Sequence, residues 1–328
     1  MKSSRVERVL VELLEQRWPV FIWGAPGVGK SAVVRRVAEQ AKLPVIDLRA
    51  SLLDPTDLRG IPAIDDGRAI WCPPVFLPKP ADLPGILFLD ELNAAPSLVQ
   101  AALYQLVLDR QVGEYRLPDG WRIVAAGNRQ TDRAVVFRLS SALANRFIHL
   151  DFEVNVVDWR DWAIEARVHP LVVGFIGTRP NLLLGEPGEG PAYPTPRSWE
   201  MVSDALNRLG GVAESEDVIP GIVGAGAAAE FQGYATRTIR EEDFLRIVED
   251  PEKAVLPTAL GDVFAMTSWF AYHAKDDAVR RAGATLLSRI PPEFGVILAR
   301  DLLKAAPSII REPGYKAFIN AHGELFLG

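Results

Sequence analysis

Short apolar runs alternate with helically spaced apolar positions through the first half of the chain. Val20-Phe21-Ile22-Trp23 is continuously apolar, which suits a short strand buried on both faces. Val33, Val34, Val37, Ala38 and Ala41 then recur on one face of a helix. The alternation continues: Pro44–Leu48, Gly85–Leu89, Trp121–Ala126 and Phe147–Leu150 read as four more strands. Val99, Leu103 and Leu106 mark a helix after the third strand. Strands separated by helices predict an α/β core with a five-stranded parallel sheet and helices on both faces.

Two stretches break this rhythm and read as insertions. Residues 55–84 are rich in proline and glycine, with a polar–apolar piece at Arg68-Ala69-Ile70-Trp71. Residues 111–121 carry the turn signal Pro118-Asp119-Gly120 between two strand-like runs. The tip around Glu114-Tyr115-Arg116 reads equally as a pore-facing hairpin or a solvent-facing turn. After Asp151 the pattern becomes mostly helical. Val202, Ala205, Leu206 and Leu209 form one stripe, and Phe294, Ile297, Leu298 and Leu302 another. The expected organisation is a core over 1–152, a helical lid over 153–240 and a C-terminal helical extension over 241–328. Gly221–Gly226 suits tight packing or a hinge.

Composition narrows the picture. A hydrophobic fraction of 48% is ample for a packed core and argues against extensive disorder. The net charge of −6 makes a general nucleic-acid coat an unsuitable role. With Cys72 alone, no intrachain disulfide and no cysteine-based zinc site can form. No uncharged run reaches the ~18 apolar residues of a membrane span, and the start lacks the apolar stretch of a secretory signal. A cytoplasmic location is the expectation.

The candidate chemistry lies at the ends of the predicted strands. Gly24-Ala25-Pro26-Gly27-Val28-Gly29-Lys30-Ser31 matches G-x-x-x-x-G-K-[ST] in full. Its glycines allow backbone N–H groups to turn inward around phosphate oxygens, Lys30 brings a positive charge, and Ser31 offers a hydroxyl to magnesium. Asp90 and Glu91 follow the apolar run Ile86–Leu89. At a strand's C-terminal end, Asp90 is placed to hold magnesium through water and Glu91 to polarise an attacking water. Asn128, just past the fourth strand, can orient that water. Arg146, at a helix-to-strand junction, can reach a nucleotide held by a neighbouring subunit, with Arg129, Arg133 and Arg138 as competitors for that role. Arg197 opens a helix of the lid and could contact phosphates from there.

Together and in this order, these motifs resemble the AAA+ ATPases, and within them the MoxR-like group with an insertion in helix 2. Asp90-Glu91-Leu92-Asn93-Ala94-Ala95-Pro96 is similar to that group's acidic motif, and Asp57-Leu58-Arg59-Gly60 to the start of its insertion. Ala126-Gly127-Asn128 matches the sensor 1 position, Leu143-Ala144-Asn145-Arg146-Phe147 the arginine-finger box, and Pro194-Thr195-Pro196-Arg197 the sensor 2 motif. The resemblance covers about residues 5–210. Two positions depart from the pattern: Asn145 stands where the finger box usually has Asp, and Arg129 where Pro commonly follows the sensor asparagine.

The resemblance implies ATP with magnesium, bound between subunits of a ring that is usually a hexamer. It implies a chaperone-like remodeller or activator of a partner protein, commonly one with a von Willebrand factor A domain. Two other classes compete. One is a nucleic-acid motor or GTP-dependent restriction-type subunit, although Asn128-Arg129-Gln130-Thr131-Asp132 supplies no Asn-Lys-x-Asp guanine motif. The other is a slow nucleotide-dependent scaffold or switch.

Overall fold

A computed structural model describes residues 1–132, 137, 139–188, 190–238 and 240–326. Arg133 and Arg138, two competitors for the finger role, lie outside these residues. The chain divides into two units, Met1–Val154 and Asn155–Gly328.

In the first unit, the apolar runs become strands β1 (Val20–Trp23), β2 (Val45–Arg49), β5 (Ile86–Asp90), β8 (Arg122–Gly127) and β9 (Ile148–Asp151). All neighbours run parallel, in the order β2-β5-β8-β1-β9. The sheet is therefore the five-stranded parallel one read from the sequence. Four of the strands, β2, β5, β8 and β9, lie one residue later than the sequence reading, and two of these shifts have a plain cause. Pro44 stays outside β2, since it has no N–H to give the ladder, yet its carbonyl accepts Ile86 N–H at 2.8 Å. Phe147 stays outside β9 because its N–H closes a turn onto Ala144 O.

Successive side chains point to opposite faces of the sheet. Phe21, Leu87, Leu89, Ile123 and Ala125 share one face, and with Val99, Leu103 and Leu106 of helix α4 (Ser97–Asp109) they build one core cluster. Helices α1 (Ser3–Glu15) and α2 (Lys30–Ala41) pack on each other, and α2 also packs on β5 and β8. A short helix α5 (Ser141–Ala144), capped by the Ser140 hydroxyl, precedes β9.

Both predicted insertions carry hairpins. After helix α3 (Pro55–Arg59), strands β3 (Ile61–Asp65) and β4 (Arg68–Cys72) pair antiparallel. Strands β6 (Gln111–Val112) and β7 (Tyr115–Arg116) form the second hairpin. The two are joined, for the Glu114 carboxylate accepts Trp71 N–H at 3.1 Å. Tyr115 is buried and donates its hydroxyl to Pro78 O at 2.8 Å, so it anchors this hairpin.

The second unit is helical: α6 (Val156–Glu165), α7 (Pro170–Thr178), α8 (Pro196–Leu209), α9 (Ile219–Val223), α10 (Ala225–Arg237), α11 (Glu241–Glu249), α12 (Leu260–His273), α13 (Asp277–Leu286), α14 (Pro292–Ala305) and α15 (Pro313–His322). The small-residue stretch turns the chain between α9 and α10. Trp199, Phe175 and Phe231 form a buried aromatic knot. Helix α7 packs against α12 and α6 against α14, so helices on both sides of residue 240 share this unit. The α6–α14 seam contains a buried ion pair, in which Arg160 donates twice to Asp301, at 2.6 and 2.8 Å, and once to Ser268. Among the described residues, no helix is long and apolar enough to cross a membrane.

His169 caps α7, its Nδ1 accepting Leu171 N–H at 3.3 Å. Burial, and to a lesser extent nearby His273, pull its pKa from 6.5 down to about 4, against an opposing pull from Glu241. The unfolded chain therefore binds a proton that the folded chain does not between these two values. Stability should fall as the pH drops from 6.5 towards 4, by about 3 kcal/mol from this group, and no further below that. Urea unfolding midpoints across that range should show the dependence. His169→Asn, which can still cap the helix, should flatten it.

Candidate nucleotide site

Residues 24–29 connect β1 to α2. Gly29 is the N-cap of α2 with φ of 101°, a left-handed conformation that costs any other side chain roughly 1–2 kcal/mol. That turn sets Lys30 and Ser31 in the first turn of α2, where free backbone N–H groups and the helix dipole favour an anion. Lys30 is nearly buried. Its ammonium donates to Gly24 O at 2.7 Å, to Ala25 O at 2.9 Å and to Asn128 Oδ1 at 2.8 Å. Ser31 Oγ donates to Asp90 Oδ2 at 2.9 Å.

The parallel sheet brings these groups together. Trp23 at the end of β1 is in register with Gly127 at the end of β8, and Asp90 at the end of β5 with Arg49 at the end of β2. Four strand ends thus open on one crevice, the usual position of a ligand in such sheets. These hydrogen bonds pair Lys30 with Asn128 and Ser31 with Asp90, and the adjacency of Lys30 and Ser31 in the chain joins the two pairs.

Glu91 follows Asp90 directly and has a left-handed backbone, φ 55°. Its N–H donates to Asp90 Oδ1 at 2.9 Å, and its carboxylate accepts the Ser51 hydroxyl at 2.5 Å. Strain of this kind in a non-glycine residue persists where the surroundings hold it, and it gathers at functional sites. Ser51 carries no motif. It reaches Glu91 because β2 pairs with β5, a long-range pairing that no local spacing reports.

Asn93 is a second residue that sequence reasoning left without a role. It is 2% exposed. Its amide N–H donates to Asn128 O at 2.7 Å, and its Oδ1 accepts Asn128 N–H at 3.2 Å. The Asn128 backbone is clamped on both sides. Gly127 makes this possible, since a Cβ there would lie 2.3 Å from Asn93 Oδ1. The small residue before Asn128 was the available signal.

Arg129 is committed within its own subunit. It donates to Asp151 Oδ1 from both Nε and Nη2 at 3.1 Å, and to Phe152 O at 3.2 Å. Arg146 is exposed after α5; its N–H donates to Leu143 O, while its guanidinium has no hydrogen-bond or ion-pair partner among the described residues. Phe147 beside it is buried, with its ring 5.5 Å from that of Phe21. Arg197 belongs to the second unit, exposed in the first turn of α8. That turn is fixed by a capping box between Thr195 and Ser198, with Pro196 at its start.

Residues 19–147 match the family profile of the AAA domain, dynein-related subfamily. Chaperone MoxR1 of Mycobacterium tuberculosis is 30% identical over 164 residues, covering 47% of this chain and 40% of that protein. Midasin of Giardia intestinalis is 27% identical over 331 residues, covering 92% of this chain but 6% of midasin. The matches therefore span well under two thirds of either relative's length. Among solved structures, a RuvB variant from Thermotoga maritima is similar at a TM-score of 0.43 and 14% identity, covering 90% of this chain and 87% of that one. Residues 19–147 are an AAA domain, and the match to MoxR1 supports an AAA+ protein of the MoxR-like kind.

Proposed function

We propose that the protein binds ATP with magnesium and hydrolyses it, and that it uses the cycle to remodel or activate a partner protein. The observation that supports this best is the convergence of Lys30, Ser31, Asp90, Glu91 and Asn128 on one crevice beside the phosphate-binding loop. The Lys30 ammonium, now on two loop carbonyls, would exchange them for the outer phosphates. Backbone N–H groups of residues 24–31 would cradle the rest of the phosphate chain.

The Ser31 hydroxyl and Asp90 carboxylate offer two hard oxygens 2.9 Å apart, a donor set that fits magnesium. Among the described residues no three His, Cys, Asp or Glu gather into a metal cage. Phosphate oxygens and water would complete the coordination, as is usual for this ion. Bound there, magnesium would offset charge on the phosphates. Glu91 would take up a proton from the attacking water once released from Ser51, and Asn128 would hold that water in line.

Asn93→Ala should leave the Asn128 backbone groups without partners and let its side chain drift. Turnover should fall about tenfold while nucleotide affinity stays within about twofold, as read by steady-state kinetics and nucleotide titration.

Exposed Arg146 has no acidic partner among the described residues and suits a site completed by the next subunit of a ring, of which a hexamer is the expected form. The resemblance implies a phosphate-sensing role for Arg197, at the capped start of α8. The resemblance to MoxR1, a protein named as a chaperone, supports a protein partner, with a von Willebrand factor A domain as the first to try. A cytoplasmic setting suits such a role. Specific activity measured across protein concentration tests the assembly. A rise with concentration is expected; a constant value across the assembly range would count against a site shared between subunits.

A further inference from the structure

His149 projects from β9 and has no part in the catalytic roles above. Its Nδ1 accepts the Trp23 indole N–H at 2.8 Å, and its Nε2 lies 2.8 Å from Ala144 O. A carbonyl only accepts and an indole N–H only donates. The two contacts together therefore require a neutral imidazole with its proton on Nε2. On one side stands Trp23, the residue immediately before the phosphate-binding loop. On the other stands the last residue of α5, two positions before Arg146.

The surroundings make this bridge specific. Trp23 stacks on Phe21 at 4.1 Å, and Phe21 meets Phe147 edge to face at 5.5 Å. The segment Ala144–Phe147 is thus held to β1 at two points, by the buried Phe147 ring and by the His149 imidazole. Arg146 lies between the two and is itself exposed. Helix α5 is only four residues long and cannot be rigid by its own hydrogen bonds. Something outside it must set the direction in which Arg146 leaves the surface.

We infer that His149 is a positioning residue for Arg146, fixing the finger-bearing turn against the phosphate-loop strand so that the arginine is presented to the neighbouring subunit's nucleotide. This rests on the reading of Arg146 as a finger acting between subunits. His149 touches neither nucleotide nor reacting atoms, so its loss should lower kcat and spare KM.

The test uses the full chain and ATP turnover. His149→Leu should lower kcat about tenfold with KM within about twofold, the effect of losing hydrogen bonds that orient a transition-state group. His149→Gln keeps a donor and an acceptor in one side chain and should retain kcat within about threefold. Thermal unfolding midpoints check that each variant folds. Should His149→Leu not fold, Trp23→Phe removes the indole donor while keeping an aromatic ring, though a smaller one, and should lower kcat about threefold.

Mixed assemblies decide between the two sides of the bridge. His149→Leu subunits have intact phosphate loops and misdirected fingers; Lys30→Ala subunits have dead loops and sound fingers. Mixing them should restore turnover, because sound fingers then face intact loops. If mixing fails for His149→Leu but succeeds for Arg146→Ala with Lys30→Ala, His149 acts on its own loop and the inference is overturned. If the Arg146→Ala mixture also fails, the finger reading falls and this inference falls with it. An unchanged kcat for His149→Leu, or equal losses for Leu and Gln, would also overturn it.

Discussion

Replacing Arg146 by alanine should lower ATP turnover by about 10³–10⁵-fold, the range over which arginine fingers act, while leaving nucleotide binding by isolated subunits intact. The expectation rests on three features. Arg146 is exposed, has no acidic partner among the described residues, and sits in a turn anchored by Phe147. Its nearest rival among the described residues is already held by Asp151 and Phe152 O, so Arg129→Ala should act chiefly on local stability. Single-turnover kinetics on assembled protein checks the first expectation. A loss of less than tenfold would show that the charge in the transition state is met by another group.

Glu91→Gln should slow hydrolysis by about 10²–10⁴-fold, the usual contribution of a positioned general base, and should keep ATP bound. The amide is the same size as the carboxylate and can still accept the Ser51 hydroxyl, so the fold around it should hold. What it lacks is the basicity to take a proton from water. The variant should therefore dwell in the ATP state and retain a partner that the wild type releases. Nucleotide titration, steady-state turnover and a pull-down with ATP check these three points in turn. Turnover at the wild-type rate would remove Glu91 from the catalytic group.

These two residues show how unevenly the site was legible. Glu91 sits at the end of an apolar run, after a full phosphate-binding motif, and both features are local. Ser51 and Asn93 act on the same group and have no comparable signature. Ser51 meets Glu91 because β2 lies beside β5, a pairing of segments forty residues apart. Asn93 was visible as part of a motif, but its clamp on Asn128 spans thirty-five residues. His149 looks like an ordinary edge-strand residue until Trp23 is placed beside it, 126 residues away in the chain.

Sequence alone determined the parallel core and the loop that places Lys30 and Ser31. Each follows from period, turn chemistry or a contiguous motif, all properties of neighbouring residues. Tertiary structure alone decided the rest: that Lys30 meets Asn128, that Ser51 holds Glu91, that Arg129 is occupied while Arg146 is exposed, and that helices on both sides of residue 240 pack into one unit. Those outcomes depend on which strands and helices become neighbours. That choice is made by burial and pairing across the whole chain, which no local window of residues contains.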